Sequence, residues 1–329
     1  MSIAVISFHI RVFGSSAIFD MNGYLSHQVG LSDVINFNLL HLSVPIFFLL
    51  SLFLLNAKWM KGNIDLFARL KRLIILYCFW VGILILFYYL ENSLSLLKPN
   101  TGIKMILFIV TGGNSVYYFL FSLTFLTVLS FLFFNLSVTI HWVLLLFSTA
   151  LLWIFPFFVK TFNACSFLTA FWNPLNFLPY VFISTLTCKY MKEKKDLIHS
   201  IQYHRIIIIL LSVCIITSIC EWLWFLDGNN FGYNGSAFPS LTRISVVAGA
   251  GFCFLISFYV HRPSPSVIRY LSDYSLGLYC LHGFVYWYYE KYKILMGFSF
   301  HNAINLIIVV GISLTVSILL RRVLRTGLI

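Results

Sequence analysis

The chain has few charged residues and no long polar stretch. Of its 329 residues, 10% are charged and 60% are hydrophobic, and the mean hydropathy is +0.92. A soluble globular domain carries about 25% charged residues, so this composition excludes a soluble enzyme. No segment is polar enough to fold as a separate soluble domain. Apolarity spread over the whole length instead indicates many helices that cross a lipid bilayer.

Several other features are missing, and each absence excludes a class of protein. There is no CxxC spacing, and most of the seven cysteines lie inside apolar runs, so we expect neither a metal site nor a disulfide framework. The N-terminal run has neither a basic leader nor a small-residue cleavage site, unlike a signal peptide. No internal repeat of the kind found in many transporters is visible. The net charge of +12 does not indicate a nucleic-acid partner, because Lys and Arg lie in short gaps between apolar runs.

The apolar runs predict an all-α, polytopic membrane protein with about ten transmembrane helices. A short run at residues 1–13 falls short of the roughly 20 residues that a spanning helix needs, so the first helix looks truncated. We predict that residues 1–329 form a single transmembrane domain. The other nine predicted crossings are Asn38–Leu55, Leu73–Leu90, Val116–Leu136, Thr139–Val159, Leu175–Cys188, Ile206–Leu226, Ile244–Val260, Leu271–Tyr288 and Ala303–Leu320.

Alternate gaps between these helices differ in their content of Lys and Arg. Of the 22 basic residues, 15 lie in one set of gaps and 7 in the other. Because basic residues are enriched on the cytoplasmic side of membrane proteins, both termini are predicted to be cytoplasmic. Contact with anionic membrane lipids accounts for the remaining positive charge.

A basic cluster opens the second long helix. Arg69 and Arg72 are three residues apart, so their guanidinium groups point the same way on a helix. Such forked, always-charged groups suit a phosphate, and Lys71 adds charge beside them. The alternative is that all three residues only anchor the topology.

Two histidines are functional candidates, because an ionisable side chain inside a predicted crossing is costly. His9 is in the run AVISFHIRVF, and His282 is in DYSLGLYCLHGFVYW. A helix that enters at Leu271 would place His282 about 16 Å deep, near the middle of the bilayer. The alternative for each histidine is a hydrogen bond to a neighbouring group without a catalytic role.

An outer loop offers groups suited to a sugar. The stretch Glu221–Ser240 contains Glu221, Asp227 and several aromatic rings. Against this interpretation, Trp and Tyr gather at any membrane interface, and Gly and Asn make turns. We therefore treat Glu221 and Asp227 as substrate-side candidates only.

Four segments together resemble the acyltransferase 3 family of integral-membrane acyltransferases, in the same order along almost the whole chain. The first is the short apolar run that ends in His9. The second is VPxFFxxS, followed by a basic loop and RxxRLxxxY. The third, FWNPLNFLPYVFISTLTCKY, contains Pro179 and Tyr180 where the family has a Phe-Pro-Tyr/Phe group, with Ser184 in place of its usual glycine. The fourth is SDYSLGLYCLH, which ends in His282.

The resemblance implies a polysaccharide or O-antigen O-acetyltransferase of the bacterial inner membrane. Acetyl-CoA would be the co-substrate, without a metal, and the acceptor would be a lipid-linked or polymerised sugar of a cell-envelope glycan such as lipopolysaccharide. His9 would be the base, or alternatively would carry the acyl group covalently. Arg69, Arg72 and Lys71 would hold the coenzyme phosphates, and His282 and Tyr180 would line the site.

Two expectations depart from a simple match to the family. The family motif has a basic residue, ten intervening residues and then the histidine, so the basic partner of His9 would fall before Met1. We therefore expect the reading frame to extend upstream, with Arg or Lys eleven positions before His9. The alternative function is a transporter or flippase of a lipid-linked sugar, which would need neither the R-x-x-R cluster nor a coenzyme.

Overall fold

A computed structural model describes residues 1–13, 29–62, 65–91, 109–112, 115–162, 166–193, 201–226, 243–259, 265–296 and 302–324. Within these ranges the regular structure is entirely helical, which confirms the all-α prediction for this part of the chain. The α-helices are α1 Ser2–Ile10, α2 Leu31–Val34, α3 Ser43–Met60, α4 Leu66–Leu90, α5 Tyr118–Phe133, α6 Val138–Phe162, α7 Leu178–Glu193, α8 Ile201–Leu226, α9 Ile244–Ile256, α10 Ser266–Asp273, α11 Ser275–Met296 and α12 Asn302–Leu324.

Five helical spans in the described ranges are long and apolar enough to cross a membrane. They are Leu31–Met60, Leu66–Leu90, Val138–Phe158, Gln202–Leu226 and Asn302–Arg322. The five other predicted crossings coincide with α1, α5, α7, α9 and the α10–α11 pair, which are shorter, more polar or interrupted. A multi-pass membrane protein is therefore supported, while the number of about ten crossings and the sidedness of the termini stay predictions.

Helix α3 lies at the centre of the packed core. Phe48, Leu49, Leu52 and Leu55 on this helix are 0% exposed, and α3 packs against α5, α7 and α9. Asn56 of α3 makes hydrogen bonds to two neighbouring helices. Its Nδ2 donates to Thr185 Oγ1 of α7 at 3.0 Å, and its Oδ1 accepts from Ser130 Oγ of α5 at 2.9 Å. Because lipid supplies no hydrogen bonds, such contacts between helices help to fix their relative positions.

The predicted crossing Asn38–Leu55 lies within the helical span Leu31–Met60, but its first residues do not form a regular α-helix. Residues Ile35–Leu39 form a π-helix and Leu40–Leu42 a 3₁₀-helix, which join α2 to α3. A side chain from outside the helix contacts this segment, since Arg243 Nη2 donates a hydrogen bond to the Phe37 carbonyl oxygen. Single-turn π segments are frequent at functional sites.

The prediction of one continuous helix over Leu271–Tyr288 is wrong. Tyr274, at φ −107° and ψ 10°, interrupts the chain between α10 and α11. The break is stabilised from α12, where Arg321 donates to the Asp273 carbonyl oxygen at 3.4 Å and its guanidinium carbon lies 5.1 Å from the Tyr274 ring centroid. His282 therefore lies seven residues, about 10 Å, from the start of its helix, and not about 16 Å.

Helix α1 is held against α11 and α12 by hydrogen bonds at its two ends. Ser2 Oγ donates to the Ser275 carbonyl oxygen at 2.8 Å, and Asn302 Nδ2 donates to the Arg11 carbonyl oxygen at 2.9 Å. The start of α1 thus meets the start of α11, while its end meets the start of α12. Helices α1 and α11 consequently run parallel, and α12 runs antiparallel to both.

Candidate active site

The end of α1 positions His9. The helix stops because Arg11 adopts a left-handed conformation, with φ 56° and ψ 48°. The Arg11 N–H then bonds the Phe8 carbonyl and the Val12 N–H bonds the Ser7 carbonyl, both at 3.1 Å, which is the Schellman pattern that usually has glycine at the turning residue. A non-glycine residue in this region is strained, and such strain clusters at functional sites. His9 therefore lies in the last turn of a helix whose end is tightly defined.

His9 and His282 come together at this level. The two histidines are seven residues beyond Ser2 and Ser275 respectively, so the parallel register of α1 and α11 places them side by side. Their ring centroids are 5.2 Å apart. The His282 side chain is buried, whereas His9 is exposed. The pair therefore combines an accessible imidazole with one that the protein encloses.

Hydrogen bonding sets the tautomer of His282. Its Nδ1 lies 2.5 Å from the Tyr279 carbonyl oxygen. Because a carbonyl oxygen only accepts, Nδ1 must carry the proton, and in the neutral ring Nε2 then has a lone pair. This buried Nε2 has no hydrogen-bond partner among the residues that the structure describes. His282 thus offers one unused acceptor next to His9.

A third histidine, His41, is connected to this pair through the ring of Phe8. Its Nδ1 lies 2.7 Å from the Asn36 carbonyl oxygen, and its ring centroid is 4.2 Å from that of Phe8 and 5.2 Å from that of Phe37. Phe8 in turn contacts the His9 ring at 5.5 Å between centroids. The π-helix and α1 are therefore joined by a cluster of rings directly beside His9.

A buried ion pair secures the π-helix. Arg243 Nη1 lies 3.2 Å from Glu221 Oε2, and both side chains are almost fully enclosed. Arg243 also donates to Asn38 Oδ1 at 2.9 Å, and the Ser245 N–H donates to Glu221 Oε1 at 3.1 Å. We call Glu221, Arg243, Ser245 and Asn38 the clamp, because they tie the end of α8 and the start of α9 to the π-helix.

One of the two acidic substrate-side candidates, Glu221, is part of the clamp. Both carboxylate oxygens of Glu221 already accept hydrogen bonds from protein groups, including one from Ser245 Oγ. Contact between Glu221 and a sugar stays a prediction, and the geometry assigns this residue a structural role in addition. Asp227 lies outside the described residues.

The basic cluster lies away from the histidines. Arg69 is half-buried, and its Nη2 donates to Ser51 Oγ at 3.0 Å and to the Ser51 carbonyl oxygen at 3.3 Å. Its buried Nε has no hydrogen-bond partner in the described ranges, while Lys71 and Arg72 are exposed. Ser51 is ten residues beyond His41, which corresponds to about 15 Å along the helix. The contact between Arg69 and Ser51 joins the two halves of the family pattern, VPxFFxxS and RxxRLxxxY.

Tyr180 lies in the hydrophobic core, and its contact with a substrate stays a prediction. Its ring is fully buried and stacks on Phe48, with centroids 6.3 Å apart and an interplanar angle of 14°. Its hydroxyl has no hydrogen-bond partner among the described residues. No group of three or more metal-ligating side chains occurs in that part of the chain.

Sequence reasoning missed His41 and Arg243. His41 lies inside the predicted crossing Asn38–Leu55, so the rule that selected His9 and His282 would have found it. In the sequence, Arg243 is one of the seven basic residues in the gaps predicted to face outward, and nothing there distinguishes it from the others. Its partner Glu221 is 22 residues away, and no local pattern signals that pairing.

Comparison with known proteins identifies the family of the chain. A family model described as an acyltransferase domain, that of the acyltransferase 3 family, matches residues 2–322. The chain belongs to the acyltransferase 3 family. It is accordingly a membrane acyltransferase, and the match covers all the helices that carry the histidines, the basic cluster and the clamp. No curated protein and no solved structure shows a significant match to the chain.

Proposed function

We propose that this acyltransferase moves an acetyl group from cytoplasmic acetyl-CoA to a sugar hydroxyl of a cell-envelope glycan, such as a lipid-linked O-antigen unit, in a bacterial inner membrane. The observation that carries the proposal is the pair of His9 and His282. An accessible imidazole beside an enclosed one with a free acceptor is suited to taking a proton from a weak nucleophile.

The chemical role of His9 follows from the poor reactivity of a sugar hydroxyl. The His9 imidazole accepts the hydroxyl proton while the oxygen attacks the thioester carbonyl carbon. The carbon–sulfur bond then breaks, and the coenzyme leaves as a thiol after taking the proton from His9. In this scheme His282 Nε2 accepts a hydrogen bond from His9, so that the other ring nitrogen of His9 faces the substrate.

A covalent variant uses the same residues. His9 attacks the thioester first, the coenzyme leaves, and the sugar hydroxyl displaces the acetyl group from the ring. Both routes need His9 accessible and oriented. They differ in whether an acetylated protein forms before the acceptor binds.

The coenzyme phosphates are assigned to Arg69 and Arg72, with Lys71 adding charge. The guanidinium groups suit phosphate, and the Ser51 contact leaves other donors of Arg69 available. The separation of about 15 Å along α3 between this cluster and the level of the histidines suits an elongated coenzyme whose pantetheine arm carries the thioester away from its phosphates.

Mass spectrometry of the host polysaccharide tests the proposed activity. Cells that carry the gene should show one added acetyl group per repeat unit, and cells without it should not. A His9→Ala strain is the matched control, because it retains the protein and removes the proposed base. A polysaccharide that is identical in all three strains would contradict transfer to an envelope glycan and would favour the transporter alternative.

A further inference from the structure

A cavity of about 570 Å³ lies between α6, α7, α8 and α9. Its walls include neither of the paired histidines nor any residue of the basic cluster. Small-molecule sites commonly have volumes of about 300–1,000 Å³, so the cavity is large enough to hold a ligand. It is separate from the proposed transfer site.

The interior of the cavity is apolar because its polar side chains already have partners. The hydroxyl groups of Thr149 and Thr187 each donate to a carbonyl one turn earlier in their own helix, both at 2.8 Å. The Tyr203 hydroxyl donates to the Leu255 carbonyl oxygen at 2.8 Å. A polar ligand would lose its hydrogen bonds to water in such a space, whereas a hydrocarbon chain would not.

One end of the cavity is lined by polar and positively charged side chains. Here the starts of α6 and α8 meet the ends of α7 and α9, and the lining residues are Trp142, Tyr190, Gln202 and Arg205. Trp142 Nε1 donates to the Tyr190 hydroxyl at 3.1 Å. The exposed Arg205 guanidinium makes no hydrogen bond or ion pair with any residue in the ranges that the structure describes. Lys192, near the end of α7, adds exposed positive charge on this side.

The cavity is also elongated along the helix axes. The lining residues run from Gln202 to Val213 on α8 and from Leu255 to Ile244 on α9, a distance of about 16 Å along each helix. A narrow apolar space with one cationic end matches an amphipathic anion that has a long hydrocarbon tail.

We propose that this cavity binds one acyl chain of an anionic phospholipid from the surrounding bilayer, with the lipid phosphate on Arg205. Arginine suits phosphate through its paired donors. The predicted topology places Arg205 on the cytoplasmic side, where anionic lipids are concentrated. The bound chain fills the space between α6–α7 and α8–α9 and so links these two helix pairs.

Native mass spectrometry tests this lipid site directly. The full chain is released from nanodiscs that contain equal amounts of phosphatidylglycerol and phosphatidylethanolamine, and the retained lipid is measured. We expect one phosphatidylglycerol per chain. Arg205→Gln should lower its retention about tenfold, because a charge-assisted hydrogen bond is lost. Arg322→Gln, which removes an exposed arginine of α12 that does not line the cavity, should retain the lipid.

A second pair of variants tests the chain-binding part of the cavity. Thr149→Phe places a ring in the cavity and should displace the lipid, whereas the isosteric Thr149→Val should retain it. Ala248→Leu, on the opposite wall, repeats the filling test if Thr149→Phe does not fold. Equal losses from Arg205→Gln and Arg322→Gln, retention in both filled variants, or preference for phosphatidylethanolamine over phosphatidylglycerol would each overturn the proposal. None of these measurements depends on acetyl transfer.

Discussion

At the scale of single residues, the two histidines differ in accessibility although both lie in apolar helices. His9 is exposed next to the strained end of α1, and His282 is enclosed with its Nδ1 committed to a backbone carbonyl. In the proposed mechanism, this difference gives His9 direct contact with the substrate and His282 an orienting role.

His9→Ala should lower the transfer rate by about 10²–10⁴-fold, the range for loss of general acid–base catalysis. The side chain is exposed, so the fold should survive its removal. Release of free coenzyme A thiol from acetyl-CoA, in membranes that contain the acceptor, measures the rate. His204→Ala is the control, because it removes an exposed histidine of α8 whose ring bonds the Tyr259 hydroxyl. A near-normal rate for His9→Ala would transfer the role of base to His282.

Arg69→Ala and Arg72→Ala should each raise the KM for acetyl-CoA by about 10- to 100-fold, since a charge-assisted hydrogen bond contributes roughly 1.5–3 kcal/mol. Arg69→Lys should recover only part of the loss, because an ammonium group cannot reproduce the forked contact. Steady-state kinetics with varied acetyl-CoA measure the effect.

Two controls separate phosphate binding from other roles of the basic cluster. Lys58→Ala removes an exposed cation of α3 and should leave KM unchanged. Ser51→Ala removes the side-chain partner of Arg69 but not its charge. If Ser51→Ala raised KM as much as Arg69→Ala, Arg69 would act by holding α3 in place. Equal losses from Arg69, Arg72 and Lys58 variants would indicate a general charge effect.

At the scale of structural elements, the clamp is the main support of the π-helix. Glu221→Gln or Arg243→Met should each lower the free energy of unfolding by about 3–5 kcal/mol, because either change leaves a buried charge without its partner. The double replacement Glu221→Leu with Arg243→Met should cost less than the sum of the two. Denaturant titration of the purified protein in detergent measures these differences.

The exposed pair Lys291–Glu91 is the natural comparison. Lys291 Nζ lies 2.8 Å from Glu91 Oε2, but the lysine side chain is 46% exposed. Exposed ion pairs contribute little to stability, so Lys291→Ala should unfold at the same denaturant concentration as the unaltered protein. A loss as large as that of Glu221→Gln would show that burial is not what makes the clamp strong.

At the scale of the whole molecule, the contacts bring the start of α1 and the last turns of α12 to the same end of α11. Ser2 bonds Ser275, and Arg321 bonds the adjacent Asp273, so the start of α1 and the last turns of α12 meet at the start of α11. The distribution of Lys and Arg predicts that this end is cytoplasmic.

Cysteine labelling with an impermeant maleimide tests this topology. In a background where the exposed Cys78 and Cys220 are replaced by Ser, Lys61→Cys and Arg322→Cys should react only from the cytoplasm, and Tyr89→Cys only from outside. Helix α4 has 25 residues, about 37 Å, which exceeds the hydrocarbon thickness of about 30 Å. Labelling of Lys61→Cys and Tyr89→Cys from the same side would contradict a crossing by α4.

The amino-acid sequence by itself determined the class of protein and the candidate groups. The apolar runs predicted helices, because a chain in lipid must satisfy its backbone hydrogen bonds within itself. His9, His282 and the Arg69 cluster were found because charged or ionisable groups are costly in such runs. The family resemblance rested on local motifs, and the family match over residues 2–322 confirmed it.

Only the tertiary structure decided which of these groups meet. His9 and His282 are adjacent because α1 and α11 run parallel in register, although 272 residues separate them in the chain. The π-helix is bonded through the Phe37 carbonyl to Arg243, the residue that precedes α9, and the cavity exists because four helices leave space between their sides. Local propensity contains none of this information, since each feature depends on packing between segments that are distant in sequence.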